Sequence, residues 1–196
     1  MKSGKSPQGT LRQIRWLERS AREPKRLKLI LTGALLAAVT RSPAVGQAPD
    51  PGLPGWVAVD SASRTATLAL DALPGGPDGI ATLNGHHHGD LQLVVPLGWT
   101  IRWAWTNRDS TRNHSLVVMA EREKLPTEGG RPALENAMSR AVTGGLKPGQ
   151  RDVTVFLTDQ PGWFWMLCGV PGHAIRGEWI GLKVDREVSA PMVVEK

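Results

Sequence analysis

The chain is poor in the features that would make its class obvious. It has one cysteine, Cys168, in 196 residues, so no internal disulfide can staple the fold. It has no apolar run long enough to cross a membrane. The longest candidate, Leu29–Val39 (LILTGALLAAV), has 11 residues, against the roughly 18 or more that a spanning helix needs. A net positive charge is missing from most of the chain, although the net charge of the whole is +6 and the pI near 10.0. Residues 1–48 hold ten Lys and Arg against two Asp and Glu, whereas residues 49–196 hold 14 against 16. A near-neutral body has no electrostatic footprint for phosphate backbones, which excludes nucleic acid as a partner. There is no internal repeat and almost no helical periodicity.

What is present begins with that basic N-terminus. Lys25, Arg26 and Lys28 precede the apolar run, and small residues follow it, with Ala44-x-Gly46 or Gly46-x-Ala48 as exit sites. A basic region, a short apolar region and a small-residue exit make a secretory signal; an uncleaved membrane anchor is the alternative. Residues 1–48 therefore read as a signal peptide or membrane anchor. Residues 49–55 lie in a stretch rich in Pro, Gly and Ala and read as a flexible linker. Residues 56–188 are the domain and 189–196 a C-terminal tail. The expected location is exported, periplasmic or otherwise extracytoplasmic. There a lone free thiol is a liability unless something occupies it, the plainer alternative being a buried, inert cysteine.

The domain reads as short β-patterned runs between turn residues. Trp56–Asp60, Thr65–Leu70, Ile80–Leu83 and Leu91–Val95 come first. PGGPDG at 74–79 is a turn cluster, and Asn84-Gly85 is a hairpin signal. In Trp99–Asn107, Trp99, Ile101, Trp103 and Trp105 share one face with period two, as in a half-buried antiparallel strand whose aromatics fill the interior. His114–Ala120 is the next run, and a short helix is expected at Pro132–Arg140, with proline at its first position. Arg151–Leu157 alternates through Val153, Val155 and Leu157. Trp163–Leu167 and Trp179–Val184 close the series. The rhythm predicts an all-β fold, a β-sandwich.

Between the last two runs lies Cys168-Gly-Val-Pro-Gly-His173-Ala-Ile-Arg-Gly-Glu178-Trp179. This loop starts with a thiol and returns an imidazole five positions later. Gly169, Pro171 and Gly172 allow the backbone to turn tightly enough for both to face one point. His114, at the start of an earlier strand, can lie at the same pole. Two imidazoles and one thiolate with a weak axial ligand form the blue-copper arrangement, which suits one copper ion cycling between Cu(I) and Cu(II). Structural zinc prefers paired cysteines or a Cys₂His₂ set. A Cys–His protease needs an activated thiolate and an orienting Asn or Asp, and here Cys168 follows a strand.

From about residue 80 to 184 the chain resembles the sulfocyanins, membrane-associated blue copper proteins of the cupredoxin superfamily. The resemblance rests on Asn84-Gly85, Pro96-x-Gly98-Trp99, Thr106-Asn107, Asn113-His114-Ser115-Leu116, Thr143–Gly149 and Gly162-Trp163-Phe164-Trp165. It continues into Cys168-Gly-x-x-Gly-His173-Ala-x-x-Gly. It implies a Greek-key, cupredoxin-like β-sandwich and one copper held by His114, Cys168 and His173. It also implies electron delivery between respiratory-chain components. Two positions depart from the family: Glu178 stands where an axial methionine is usual, and Ser115 where an asparagine usually follows the first ligand histidine.

Glu178 either binds the metal through a hard oxygen, which favours Cu(II), or points to solvent. The histidines of the 86–88 run either chelate a second, labile metal or are a solvated turn. The expected function is an electron carrier, not an enzyme, a monomer that docks transiently on redox partner proteins. Pro171, Gly172, Ala174 and Ile175 would form the apolar docking patch. Alternatives are a copper centre that reacts with small molecules at an exchangeable position, and a copper storage or sensing module.

Overall fold

The computed structural model describes residues 52–196. The signal or anchor segment 1–48 and the start of the linker lie outside the described residues. Ten strands follow: β1 (Val57–Asp60), β2 (Thr65–Leu73), β3 (Thr82–Leu83), β4 (Leu91–Pro96), β5 (Thr100–Asn107), β6 (Val117–Ala120), β7 (Arg151–Leu157), β8 (Gly162–Leu167), β9 (Trp179–Asp185) and β10 (Met192–Glu195). Two single turns of 3₁₀ helix, Pro77–Gly79 and Ala174–Arg176, are the other regular elements. One sheet runs β1-β2-β5-β7 with β3 added to β2, and the other runs β10-β4-β9-β8-β6. The chain crosses repeatedly from one sheet to the other, as in a Greek-key β-sandwich. β10 falls within residues 189–196, where a tail was expected.

β5 forms because four bulky side chains at period two need one buried face. Trp99 is buried, and Ile101, Trp103 and Trp105 are completely so. Burying side chains of this size stabilises the fold by about 1.5–3 kcal/mol each. β5 is not flanked by antiparallel neighbours alone: it pairs antiparallel with β7 and parallel with β2. A second parallel pair, β4 with β9, occurs in the other sheet.

β7 is where the alternation misleads. Val153, Val155 and Leu157 face outward, each about half exposed, while Thr154 and Phe156 face the core. Register decides this. Thr154 lies opposite Trp103 and Phe156 opposite Ile101, and residues opposite an inward-facing side chain must also face inward.

Two further expectations are corrected. Asn84-Gly85 does make a tight turn, with φ of 53° and 94° and reciprocal hydrogen bonds between Leu83 and His86. However, β3 joins β2 and β4 joins the other sheet, so no hairpin extends beyond one bridge. Pro132–Arg140 is not a helix. Its backbone pairs with β6 instead: Ala133 N–H donates to Val118 O, Val118 N–H to Ala137 O and Ser139 N–H to Leu116 O. Leu134 and Ala137 are buried in the main core, and Asn136 sits at φ 63°. That left-handed residue breaks helical continuity.

The register of β6, β8 and β9 positions the site. Leu167, at the end of β8, lies opposite Val117 at the start of β6 and Trp179 at the start of β9. The residues just beyond this row emerge at the same pole of the sandwich.

Candidate metal centre

Four side chains meet at that pole. Cys168 follows β8, Glu178 precedes β9, His114 precedes β6, and His173 sits on the loop between Cys168 and Glu178. One donor atom from each lies within 4.8 Å of all the others. His114, Cys168 and Glu178 are fully buried, and His173 alone retains some exposure, 6%. The loop is drawn tight by Cys168 N–H donating to Glu178 O and Glu178 N–H donating to His173 O.

The two imidazoles turn the same atom inward. His114 Nδ1 lies 2.9 Å and His173 Nδ1 3.0 Å from Oε2 of Glu178, with their ring centroids 4.9 Å apart. Cys168 Sγ lies 3.5 Å from His173 Nδ1. Glu178 Oε1 also approaches His114 Nδ1 at 2.9 Å, but it is not aligned for a hydrogen bond and has no partner among the described residues. A fully buried carboxylate oxygen without a hydrogen bond is costly unless a cation is its partner.

On its far side, His114 is fixed by a buried acid. Asp109 Oδ2 lies 3.1 Å from His114 Nε2, and the N–H and hydroxyl of Thr111 donate to Asp109 Oδ1, each at 2.7 Å. Burial would raise the Asp109 pKa, but the Thr111 hydrogen bonds and His114 overcome it and bring the value to about 2. An ionised Asp109 accepts a hydrogen bond from Nε2–H, so a ring that gives up its Nδ1 proton to a metal presents a bare Nδ1 to it. Burial alone would lower the His114 pKa; hydrogen bonds and charge from Glu178, then from Asp109, raise it instead. Burial, then the Glu178 charge, pushes the Cys168 thiol well up, opposed by the N–H groups of Ser115 and Val170. Without a cation this group holds protons, which a metal would displace.

Ser115, a departure from the family pattern, does what its position requires. Its N–H donates to Cys168 Sγ at 3.4 Å. Its hydroxyl donates to Val142 O at 2.6 Å and accepts from Gly169 N–H at 2.8 Å. The segment carrying His114 is thereby tied to the Cys168 loop with a hydroxyl in place of an amide.

The structure brings together His114, Cys168, His173 and Glu178, and it removes Glu178 from solvent. It does not bring the 86–88 run into any group of three or more metal-binding side chains among the described residues. His86 Nδ1 lies 3.5 Å from Asp90 Oδ1, and the His87 and His88 rings are perpendicular. His88 N–H donates to Gly177 O, and its ring lies where a Cβ on Gly177 would be, 2.3 Å from Nε2. Gly177, at φ 113°, is thus required for both its backbone angle and this contact. Ala174, expected on the surface patch, is fully buried against Val117, Trp165 and Leu167, whereas Ile175 is about half exposed. Asp109 was missed by sequence reasoning. The signal that could have found it is an acid five residues before His114 in a loop that must turn.

Two imidazoles, a thiolate and a carboxylate converging in a buried pole of an all-β sandwich fit a single copper ion, and together they define a copper protein of the cupredoxin type. The particular branch follows from comparison with known proteins: residues 55–195 match the sulfocyanin (SoxE) domain, and the chain belongs to that family. It is 27% identical over 118 residues to a sulfocyanin of Sulfolobus acidocaldarius, covering 57% of this chain and 59% of that protein. Among solved structures it is similar to a copper nitrite reductase from Nitrosomonas europaea, with 24% identity, TM-score 0.46, and coverage of 63% of this chain and 42% of that one. It is also similar to reduced rusticyanin, with 19% identity, TM-score 0.42, and coverage of 62% and 85%.

Proposed function

We propose that His114 Nδ1, Cys168 Sγ and His173 Nδ1 hold one copper ion, that Glu178 supplies a fourth, oxygen donor, and that the protein carries single electrons between redox partners. The observation that supports this most directly is the convergence of these donors, from three separate elements, on one buried point. Copper supplies the one-electron couple. The protein supplies a donor set between the preferences of Cu(I) and Cu(II), so that little has to move when the charge changes. Asp109 fixes the His114 tautomer, and Ser115 and Val170 place N–H groups near the sulfur, where they restrain its electron donation.

His173 is the donor nearest the surface and would be the port for electrons. Pro171 and Ile175 beside it are exposed and suit the small, transient contacts of redox partners. Burial of the donors favours a carrier over a centre with an exchangeable position. Residues 1–48 would export the protein or anchor it, and 49–55 would tether domain 56–188. The test is an absorption and EPR spectrum of the protein with one equivalent of Cu(II), repeated with azide and nitrite. The expected result is a thiolate-to-copper charge-transfer band that neither anion alters. Absence of the band rules out the ligand set, and a shift with either anion rules out the closed carrier site.

A further inference from the structure

Five basic residues of the domain have side-chain partners. Arg108 pairs with Asp71 and Lys183 with Asp185. Arg112, Arg140 and Arg176 donate to the carbonyls of Gly79, Arg151 and Gly172. Arg122, Lys124 and Arg131 are among those with no ion pair or side-chain hydrogen bond among the described residues, and they stand apart from the rest because they share one cavity. All three line one cavity of about 460 Å³, together with Met119, Trp165 and Pro132. No acid lines it. Glu121, Glu123 and Glu128, on the same segment, are exposed outside it.

Three unpaired cations around one concavity repel one another, and a body with 14 basic and 16 acidic residues from 49 to 196 gives no general reason for them to gather. The floor is apolar and built. Met119 and Trp165 are cross-strand partners on β6 and β8, and the Trp165 ring packs edge-on against Trp179 at 6.5 Å. The wall is tied to the rest of the domain. Gly129 N–H donates to Gly169 O and Gly172 N–H to Thr127 O, so the segment bearing the cations is hydrogen-bonded to the Cys168–His173 loop. A Cβ on Gly129 would lie 2.6 Å from the Gly169 Cα, so the two backbones are in direct contact. A neighbouring cavity beyond Pro132 shares Arg131 but also contains Glu135 and Asp159. Its mixed charge gives it no preference for anions.

We propose that the Arg122–Lys124–Arg131 cavity binds a small organic anion whose flat apolar body lies on Trp165 and Met119 while its carboxylate or sulfonate meets the guanidinium and ammonium groups. The volume lies within the roughly 300–1,000 Å³ of small-molecule sites. Guanidinium groups match a planar carboxylate bidentately, and the concavity favours a compact ligand over an extended protein surface.

The test is titration calorimetry on the full, copper-loaded chain with 2-naphthoate as the probe, its neutral analogue 2-naphthamide, inorganic sulfate, and a hexaglutamate peptide. Saturable 2-naphthoate binding is expected, at least about tenfold tighter than 2-naphthamide or sulfate, because charge and apolar contact each contribute about 1.4 kcal/mol or more. Arg122→Glu and Arg131→Glu should each weaken it at least about tenfold. Both positions are exposed, and an unchanged copper spectrum reports an intact fold. No saturable binding up to about 10 mM, a range in which a millimolar Kd registers, would overturn the proposal. So would affinity unchanged from the unsubstituted chain in both variants, or equal affinity for the amide. Binding of hexaglutamate without 2-naphthoate would overturn it in favour of an acidic protein partner.

Discussion

The turn at residues 86–90 holds three of the chain's five histidines, and the pole at the end of β8 holds the other two. In the turn, His86 leans toward Asp90 at 3.5 Å, His87 and His88 stand perpendicular, and the His88 backbone is committed to Gly177. At the pole, both Nδ1 atoms lie within 3.0 Å of one carboxylate oxygen and one of them is 3.5 Å from a thiol. Adjacent residues of an extended or turning chain project apart, so three imidazoles in a row do not share a lone-pair focus. Residues from different strands can be aimed at one point, and burial there removes the water that would compete.

That contrast can be broken most completely at Cys168. Cys168→Ser removes the one soft donor, and the thiolate-to-copper band should vanish while the circular dichroism of the metal-free protein stays that of a β-sandwich. A band that persists would mean that the copper is bound elsewhere.

Glu178→Met should act next most strongly. An anionic oxygen offsets the charge of Cu(II) better than that of Cu(I), so replacing it with a thioether should raise the reduction potential by about 100 mV or more. That is roughly a fiftyfold change in relative affinity for a one-electron couple at 59 mV per tenfold. Redox titration at matched pH and salt measures it, and superimposable potentials and spectra would exclude coordination by Glu178.

Asp109→Asn should weaken copper binding by about 10–100-fold, the usual range for a carboxylate that orients a ligand histidine; competition with a chelator reports it. The same substitution should flatten the acid limb of metal-free stability. The Asp109 pKa is lowered from 3.8 to about 2, so its contribution is present above the ordinary carboxylate range and is lost as pH falls through about 2. A variant with the wild-type acid profile would remove Asp109 from this role.

Copper uptake should also release protons. The Cys168 thiol is pushed up and the His114 imidazole is raised, so near pH 6 both are protonated without metal and both must lose the proton to bind it. More than one proton per copper is expected there, falling toward one at higher pH as His114 deprotonates unaided. Calorimetry in buffers of different ionisation enthalpy counts them, and one proton or fewer near pH 6 would contradict the reading.

The smallest effect belongs to the turn. His86→Ala with His88→Ala should leave one copper per chain and the same spectrum, with stability changed by about 1 kcal/mol or less. A lower copper stoichiometry in the double variant would restore the second-site reading.

Much of the sandwich was legible because strand patterns are local. The Trp99–Trp105 alternation, the turn residues and the Cys168–His173 spacing each speak within a few positions. The face of β7 was not, because an apolar alternation looks the same whether it points in or out until its partner is known. The 132–140 stretch looked helical because of its proline and its composition, and became a paired loop because β6 offered unpaired backbone groups. Asp109 could not be assigned because an acid in a loop is ordinarily solvated; only the placement of His114 above it makes it a partner.

Sequence by itself determined the class of fold and pointed to three donors whose types and loop spacing suit copper. These depend on composition, short-range periodicity and side-chain chemistry, which the chain carries wherever it folds. Tertiary structure alone decided that Glu178 turns inward, that Ser115 rebuilds the tie to the Cys168 loop, and that the 86–88 run stays outside the donor group. Each of these depends on which atoms the paired ends of β6, β8 and β9 bring within about 3 Å, the range in which hydrogen bonds act, and no local pattern encodes that distance.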